Sequence, residues 1–310
     1  MIPRKITKPT VCLTREDTEG QSLKEGLDLL PANEIIKKGD RVVITPNWVK
    51  SESPSAGTVV GPKTLQKLIK HIKKFEPSKI TVATGSGGDD TKKVFESVGY
   101  DKVIESEEIE FVDLNFGPYT DVQLDHDIIK ETKINKLINE FDVLISFTQL
   151  KHHEEATISA SIKNITLGWP PAEMHGFPKK KTGIHEDLHG FIIAMAKKIP
   201  IHIAIVSADK AMVGLGPSGG KPVDTDGLII VSNDSVAADA IGARLLGFLP
   251  QGVRYLYALH KSNMGEADPK KMTFKGFSLA EAEKIFSKAA YGQRISLDKE
   301  NKIKGFHGKK

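Results

Sequence analysis

The sequence predicts an α/β protein: a mostly parallel sheet with helices on both faces, folded as two lobes with a cleft between them. Three observations predict it. Short β-branched runs recur along the 310 residues, amphipathic helical patterns alternate with them, and a content of 39% hydrophobic and 27% charged residues is that of a globular chain. Repeated strand, helix, strand units imply a mostly parallel sheet covered on both faces.

Strands are expected at residues 41–45, 79–84, 110–114, 142–147, 201–207 and 228–232, where β-branched residues cluster between turn signals. A helix is expected over 62–75, with Leu65, Leu68, Ile69 and Ile72 on one face. Another follows a glycine loop at 91–98, and a third spans 234–247 and is closed by Gly247. Residues 279–290 read as a helix before a polar Lys/Gly tail, whose last ten residues are expected to be mobile. With no internal repeat and no low-complexity linker, the expected organisation has three parts: an N-terminal segment (1–30), an α/β unit (31–267, with lobes near 31–150 and 151–267) and a C-terminal helix and tail (268–310).

Composition narrows the function classes. One cysteine, Cys12, excludes a disulfide framework and any cluster built from several thiolates, and a reducing, cytoplasmic home is expected. The opening MIPRKITKPT lacks the apolar stretch of a secretory signal, and apolar runs such as 191–196 are far too short to span a bilayer, so no membrane role is indicated. A net charge of +4 is spread thinly: Lys67, Lys70, Lys73 and Lys74 fall at helical spacing, and Lys179 to Lys181 form a short run that reads as a solvated face. Aromatics make up 6% and do not interleave with basic residues, which argues against nucleic acid. A small anionic molecule is the expected partner, with a homo-oligomer left open.

Several segments carry residues suited to chemistry. Lys151-His152-His153 follows the expected strand 142–147, placing ionisable groups at a strand's carboxyl end, where α/β sheets bind ligands; the plainer alternative is a pair of loop histidines. Lys163 interrupts an apolar pattern over 157–165 that favours a helix, although its alternation also allows a strand. A desolvated lysine suits anion binding or proton transfer, against the commoner fate of reaching water. His185-Glu186-Asp187-Leu188-His189 matches H-E-x-x-H, in which two histidines one helical turn apart hold zinc and the glutamate acts as base. Asp209 is the candidate third ligand, and hydrogen-bonded histidines are the alternative. The loop Gly85-Ser86-Gly87-Gly88 reads first as a tight turn capped by Asp89 or Asp90. Residues 209–226, with Gly214, Gly216, Gly219 and Lys221, are long for a plain connector and read as a ligand loop. Trp48 and Trp169 suit either a pocket wall or turn packing. Asp234 is explained as an N-cap, whereas Asp239, in an apolar stretch, needs a partner if buried.

Taken together, Thr45-Pro46-Asn47, the Gly85 loop with Phe95 and Gly99-Tyr100, Lys151-His152-His153, Ser161-Ile162-Lys163-Asn164, the histidine segment, Asp209 with Gly214 to Gly219, and Asp234 to Asp239 resemble the family called domain of unknown function 362, over roughly residues 40–265. The resemblance implies a fold and marks Lys151, His152 or His153, Lys163, Asn164 and His185 or His189 as site residues; it supplies no common reaction. Many relatives carry a ferredoxin-like cysteine segment, which Cys12 cannot provide, so no iron–sulfur cluster is expected. A weaker likeness in architecture is to the lactate racemase group, which builds a site from histidines and a lysine between two α/β lobes and uses a nickel-bearing nucleotide cofactor.

The leading expectation is an enzyme acting on a small anionic substrate by acid–base or Lewis-acid chemistry, with Lys151, His152, Lys163 and Glu186 as catalytic candidates. Asn47, Ser86, Asn164, Gly214, Gly216, Gly219 and Lys221 are the ligand-binding candidates. His153, His185, His189 and Asp209 are candidate ligands of a divalent metal, with Zn, Ni, Fe and Mn not distinguished. The alternatives are a zinc metallopeptidase with Glu186 as base and a noncatalytic anion or cofactor carrier.

Overall fold

A computed structural model describes residues 8–292; the tail expected to be mobile lies outside the described residues. In chain order the elements are β1 (Thr10–Thr14), α1 (Glu19–Leu29), α2 (Ala32–Ile35), β2 (Arg41–Pro46), α3 (Pro62–Lys73), β3 (Lys79–Thr84), α4 (Thr91–Val98), α5 (Tyr100–Ser106) and β4 (Glu110–Asp113). The hairpin β5 (Tyr119–Gln123) and β6 (Glu131–Asn135) follows, then β7 (Val143–His153), β8 (Thr157–Ser159), α6 (Ser161–Gly168), α7 (Ala172–His175) and α8 (Leu188–Ala196). The remainder is β9 (Ile203–Val213), β10 (Lys221–Asp224), β11 (Ile229–Ser232), α9 (Ser235–Leu246), α10 (Arg254–Lys261), β12 (Thr273–Gly276) and α11 (Leu279–Tyr291).

Ten strands form one sheet in the order β12-β1-β11-β9-β7-β2-β3-β4, with β10 added to β9 and β8 to β7. The run β9-β7-β2-β3-β4 is parallel throughout, as the alternating strand and helix patterns require. Strand β11 runs antiparallel to both of its neighbours. Side-chain alternation divides the core in two. Val143, Ile145 and Phe147 face α1, α3, α4 and α5, whereas Leu144 and Leu150 face α6, α8, α9, α10 and α11.

Thr10–Thr14 and Thr273–Gly276, which the sequence reading assigned to terminal segments, pair with each other inside this same sheet. Their runs are too short to show a period by themselves.

Local signals hold where capping is explicit. Asp90 accepts the Lys93 amide at 3.0 Å and starts α4, and Gly99 ends it in the left-handed conformation. Asp234 and Gly247 do the same for α9. The H-E-x-x-H stretch departs from expectation. Residues Ile184–Asp187 form a 3-10 turn, Asp187 is non-helical at φ −141°, and its carboxylate accepts the Gly190 amide at 3.1 Å as the N-cap of α8. A local cap therefore breaks the helix that the spacing required. The ambiguous stretch 157–165 resolves into both readings, strand β8 and then α6, because Ala160 is extended and the N-terminus of α6 is held from outside.

That hold comes from Asp239. Fully buried on α9, it accepts Ser161 N (2.8 Å), Ser161 Oγ (2.6 Å), Ile162 N (3.1 Å) and the Tyr255 hydroxyl (3.2 Å). It supplies the oxygen that the orphan amides of a helix start need. Asp239→Ala is expected to lower unfolding free energy by about 3 kcal/mol and Ser161→Ala by about 1 kcal/mol, as read by urea denaturation; equal losses would show that the carboxylate is not the hub.

Candidate functional site

The site begins with a strand that is too long for its neighbour. Strand β2 stops at Pro46, opposite Phe147, while β7 continues to His153. Its projecting end pairs on one side with β8, Lys151 opposite Ser159, and on the other with β9 after a register shift between Gln149 and Lys151. Because strand side chains alternate, Lys151 and His153 stand on one face and His152 on the other. Lys151 and His153 line a cavity of 410 Å³ outside the carboxyl ends of β2, β3 and β7, which is where parallel sheets bind ligands. Asn47, Thr84, the Gly85 loop, Lys163 and Asn164 of α6, Lys179, His185, and Pro217 with Ser218 also line it.

Five lysines and two glutamates line this cavity (Lys50, Lys151, Lys163, Lys179 and Lys180; Glu154 and Glu155). Burial, then the charge of Lys163, lowers the Lys151 amine to about 7. Burial lowers Lys163 to about 8, with Glu155 opposing. Burial also lowers Lys179 to about 7 against the pull of Asp113. Their partners differ. The Lys179 ammonium donates to the carbonyls of Leu167 (2.9 Å), Gly85 (3.4 Å) and Gly168 (3.4 Å), and so fixes the loop after β3 to the end of α6. Lys151 donates to one carbonyl, that of Thr58, at 3.4 Å.

The two histidines at the cavity have opposite hydrogen-bonding characters. The Nδ1 of His153 accepts the amides of Glu155 (3.2 Å) and Ala156 (3.1 Å), so its proton sits on Nε2. Burial and then the charges of Lys163 and Lys151 hold its pKa at about 2, which keeps the ring neutral. Its remaining capacity is a single N–H donor, and a metal ion would need the lone pair that this proton occupies. His185 is arranged the other way: Nδ1 is hydrogen-bonded to the Glu155 carboxylate, leaving Nε2 as an acceptor. Burial raises the Glu155 carboxyl, but the hydrogen bond from His185 and the charges of His185 and Lys180 hold it below its ordinary value.

The remaining candidates lie elsewhere or are already committed. His152 accepts the Gly214 amide (2.8 Å) and donates to the Leu246 carbonyl (3.1 Å) on the far face of β7. The His189 Nδ1 accepts the Tyr255 amide at 3.3 Å. Asp209, on β9, accepts the Gly227 amide at 2.7 Å. Glu186 is exposed, folded back over Gly183. Among the described residues, no three His, Cys, Asp or Glu side chains converge as a metal set. His153, His185, His189 and Asp209 therefore do not fit one ion, and the peptidase arrangement is not formed.

Residues 209–226, expected as an irregular ligand loop, are largely the hairpin of β9 and β10, with Lys221 opposite Val213. The amides of Gly214, Gly216 and Gly219 are spent on His152, Gly214 and Leu215. Gly216 lies so close to the His152 carbonyl that an added Cβ would stand 1.8 Å from it. The loop reaches the cavity through Pro217 and Ser218, and Lys221 is exposed on β10. Other assigned ligand groups are structural. The Asn47 amide bridges the Thr58 carbonyl (2.9 Å) and the Gln149 amide (3.1 Å), and Asn164 donates to the Thr45 carbonyl (2.8 Å). Ser86 donates to Val49 and Thr91. Trp48 lines the cavity and stacks on Tyr100 with centroids 4.2 Å apart, whereas Trp169 is buried, its ring N–H on Thr45.

Lys179 and Glu155 were missed. Lys179 sits after Pro178 in a run with no helical period, so the solvated-face reading had no face to rest on. Glu155, two residues past His153, could have been noticed as a partner for a nearby imidazole.

Fold and site define an α/β protein with a lysine-rich cavity at the carboxyl edge of its sheet. The model of the family described as domain of unknown function (DUF362) matches residues 42–244, from β2 into α9, and the chain belongs to that family. A thylakoid-associated protein of Synechocystis is 24% identical over 217 residues, covering 70% of this chain and 66% of that protein. Among solved structures, the lactate racemase apoprotein of Thermoanaerobacterium thermosaccharolyticum aligns with a TM-score of 0.42 at 20% identity, over 76% of this chain and 57% of that one. The matches thus span less than two thirds of either relative's length. No helix among the described residues is long and apolar enough to cross a membrane.

Lys151 gives the cavity a signature in stability. Its amine lies near 10.5 when unfolded and about 7 when folded. Native stability is therefore reduced most at and below pH 7 and recovers as pH rises toward 10.5. Lys151→Met is expected to be more stable than the native chain by about 1–3 kcal/mol at pH 7, with the gap shrinking toward pH 10 in denaturant melts. A gap independent of pH would mean that the amine is not desolvated.

Proposed function

We propose that this DUF362 protein is an enzyme acting on a small anionic substrate held in the lysine cavity, with proton transfer by the Glu155–His185 pair. The observation that carries the reading is the convergence of three lysines of lowered pKa, a neutral histidine donor and a carboxylate-bound histidine on one cavity. Lys163 pairs with a carboxylate or phosphate oxygen, and the Nε2–H of His153 donates to a second oxygen. Lys179, tied to three carbonyls, is fixed in place and adds positive charge when protonated. Neutralising the cluster removes part of the desolvation cost that it carries when empty, so binding and stability are coupled. Glu155 fixes the tautomer of His185 through Nδ1, which leaves the Nε2 lone pair as the base; positioned acid–base groups contribute typically ~10²–10⁴-fold in rate. The separated metal candidates favour the acid–base form of this reading over the Lewis-acid form.

Thermal melts with acetate, lactate, pyruvate and phosphate, against matched potassium chloride, test it. At a hundredfold excess over Kd a ligand is expected to stabilise by about 2.7 kcal/mol, and Lys163→Met is expected to weaken binding about tenfold or more. His185→Ala is expected to keep binding while deuterium exchange beside the substrate carboxylate, read by NMR, falls ~10²-fold or more. Stabilisation by none of these anions would overturn the proposal, and binding without exchange would leave a noncatalytic carrier.

A further inference from the structure

Of the five lysines that line the cavity, three are drawn out of solvent, and they are not equivalent. Lys179 is satisfied by three carbonyls. Lys163, on α6, stands half-buried at the wall, with Glu155 near enough to act on its charge. Lys151 is different from both. It is 1% exposed, and the one carbonyl it reaches among the described residues, at 3.4 Å, already accepts the Asn47 amide at 2.9 Å. Among the described residues no carboxylate lies within ion-pair distance of it, and the charge that acts on it is a second cation, Lys163. A buried ammonium held for structure has a carboxylate or a full set of acceptors. A buried amine with neither, beside a like charge and open to a cavity, is arranged as a nucleophile.

We infer that Lys151 condenses with the carbonyl carbon of a small 2-oxo acid to form an imine, while Lys163 and His153 hold the adjacent carboxylate. This rests on the small-anion reading above and names its substrate class. The neutral amine's lone pair forms a C–N bond, and the carbonyl π pair moves to oxygen, which takes the proton released by nitrogen. The carbinolamine then loses its hydroxyl as water, with the proton supplied by the Lys163 ammonium, which recovers it from solvent. The product is a protonated imine; nothing is oxidised or reduced. Its positive nitrogen acidifies the neighbouring C–H bond, and the free Nε2 of His185 is the base that the same cavity provides.

The full chain is incubated separately with glyoxylate, pyruvate and 2-oxoglutarate in the presence of cyanoborohydride, which supplies hydride to trap an imine as a stable secondary amine. Intact mass and peptide mapping are expected to find one reduced adduct, at Lys151, with at least one of the three acids. The adduct is absent in Lys151→Met and Lys151→Arg, and Lys163→Met needs about tenfold more acid for half-maximal trapping. No adduct at Lys151 with any of the three acids, or labelling spread over surface lysines and unchanged in Lys151→Met, overturns the inference. Melts with acetate and pyruvate separate the two claims. Stabilisation by both without an adduct removes imine formation and leaves the anion site; stabilisation by neither removes both.

Discussion

The site depends on the alternation of a strand that outruns its partner. Within the sheet, odd and even positions of β7 feed two apolar cores, and the pattern is purely structural. Past Pro46 β2 leaves the edge of β7, yet β8 and β9 keep β7 extended, so alternation continues with Leu150 in the core on one face and the cavity on the other. Lys151 and His153 are thereby delivered to one concave surface by the same rule that buried Ile145 and Phe147. Asp239 does the complementary work for α6, anchoring its start so that Lys163 projects from the opposite wall.

What is assembled is electrostatically unfavourable by itself. Three lysines sit where water is scarce, and the glutamate nearest them is tied up by His185 and Lys180. Such an arrangement persists because the rest of the sheet over-determines it: five parallel strands, an antiparallel extension and two apolar cores hold the frame. The electrostatic cost that the cluster carries by itself is what the proposed anion would offset. His153 fits the same logic, since two backbone amides fix its tautomer and burial, then the neighbouring lysines, keep it uncharged.

The sequence made legible what depends on local chemistry. Strand Lys79–Thr84, helix Thr91–Val98 and the capped helix after Asp234 follow from β-branched runs and explicit caps. The need of Asp239 for a partner was visible because an acidic residue in an apolar helix cannot be left alone. The H-E-x-x-H spacing misled because Asp187 is a better N-cap than a mid-helix residue, a choice settled by Gly190 and by Arg254, which binds Asp187 at 2.6 Å from far along the chain. Lys179 was invisible for a similar reason: its acceptors are backbone carbonyls, and no side-chain pattern reports where those converge. Which of His152 and His153 enters the site was undecidable until β7 was known to run through both.

The projecting end of β7 also sets what changes in length the chain can absorb. Losing or gaining one residue between Phe147 and Lys151 would not merely shift the lysine along the strand. It would exchange the two sides, turning His152 toward the cavity and pushing a cationic chain either into the core position of Leu150 (on loss) or beside Phe248 (on gain), where the His152 ring now packs with centroids 5.2 Å apart. Frame, rather than residue identity alone, is therefore the quantity that this segment encodes.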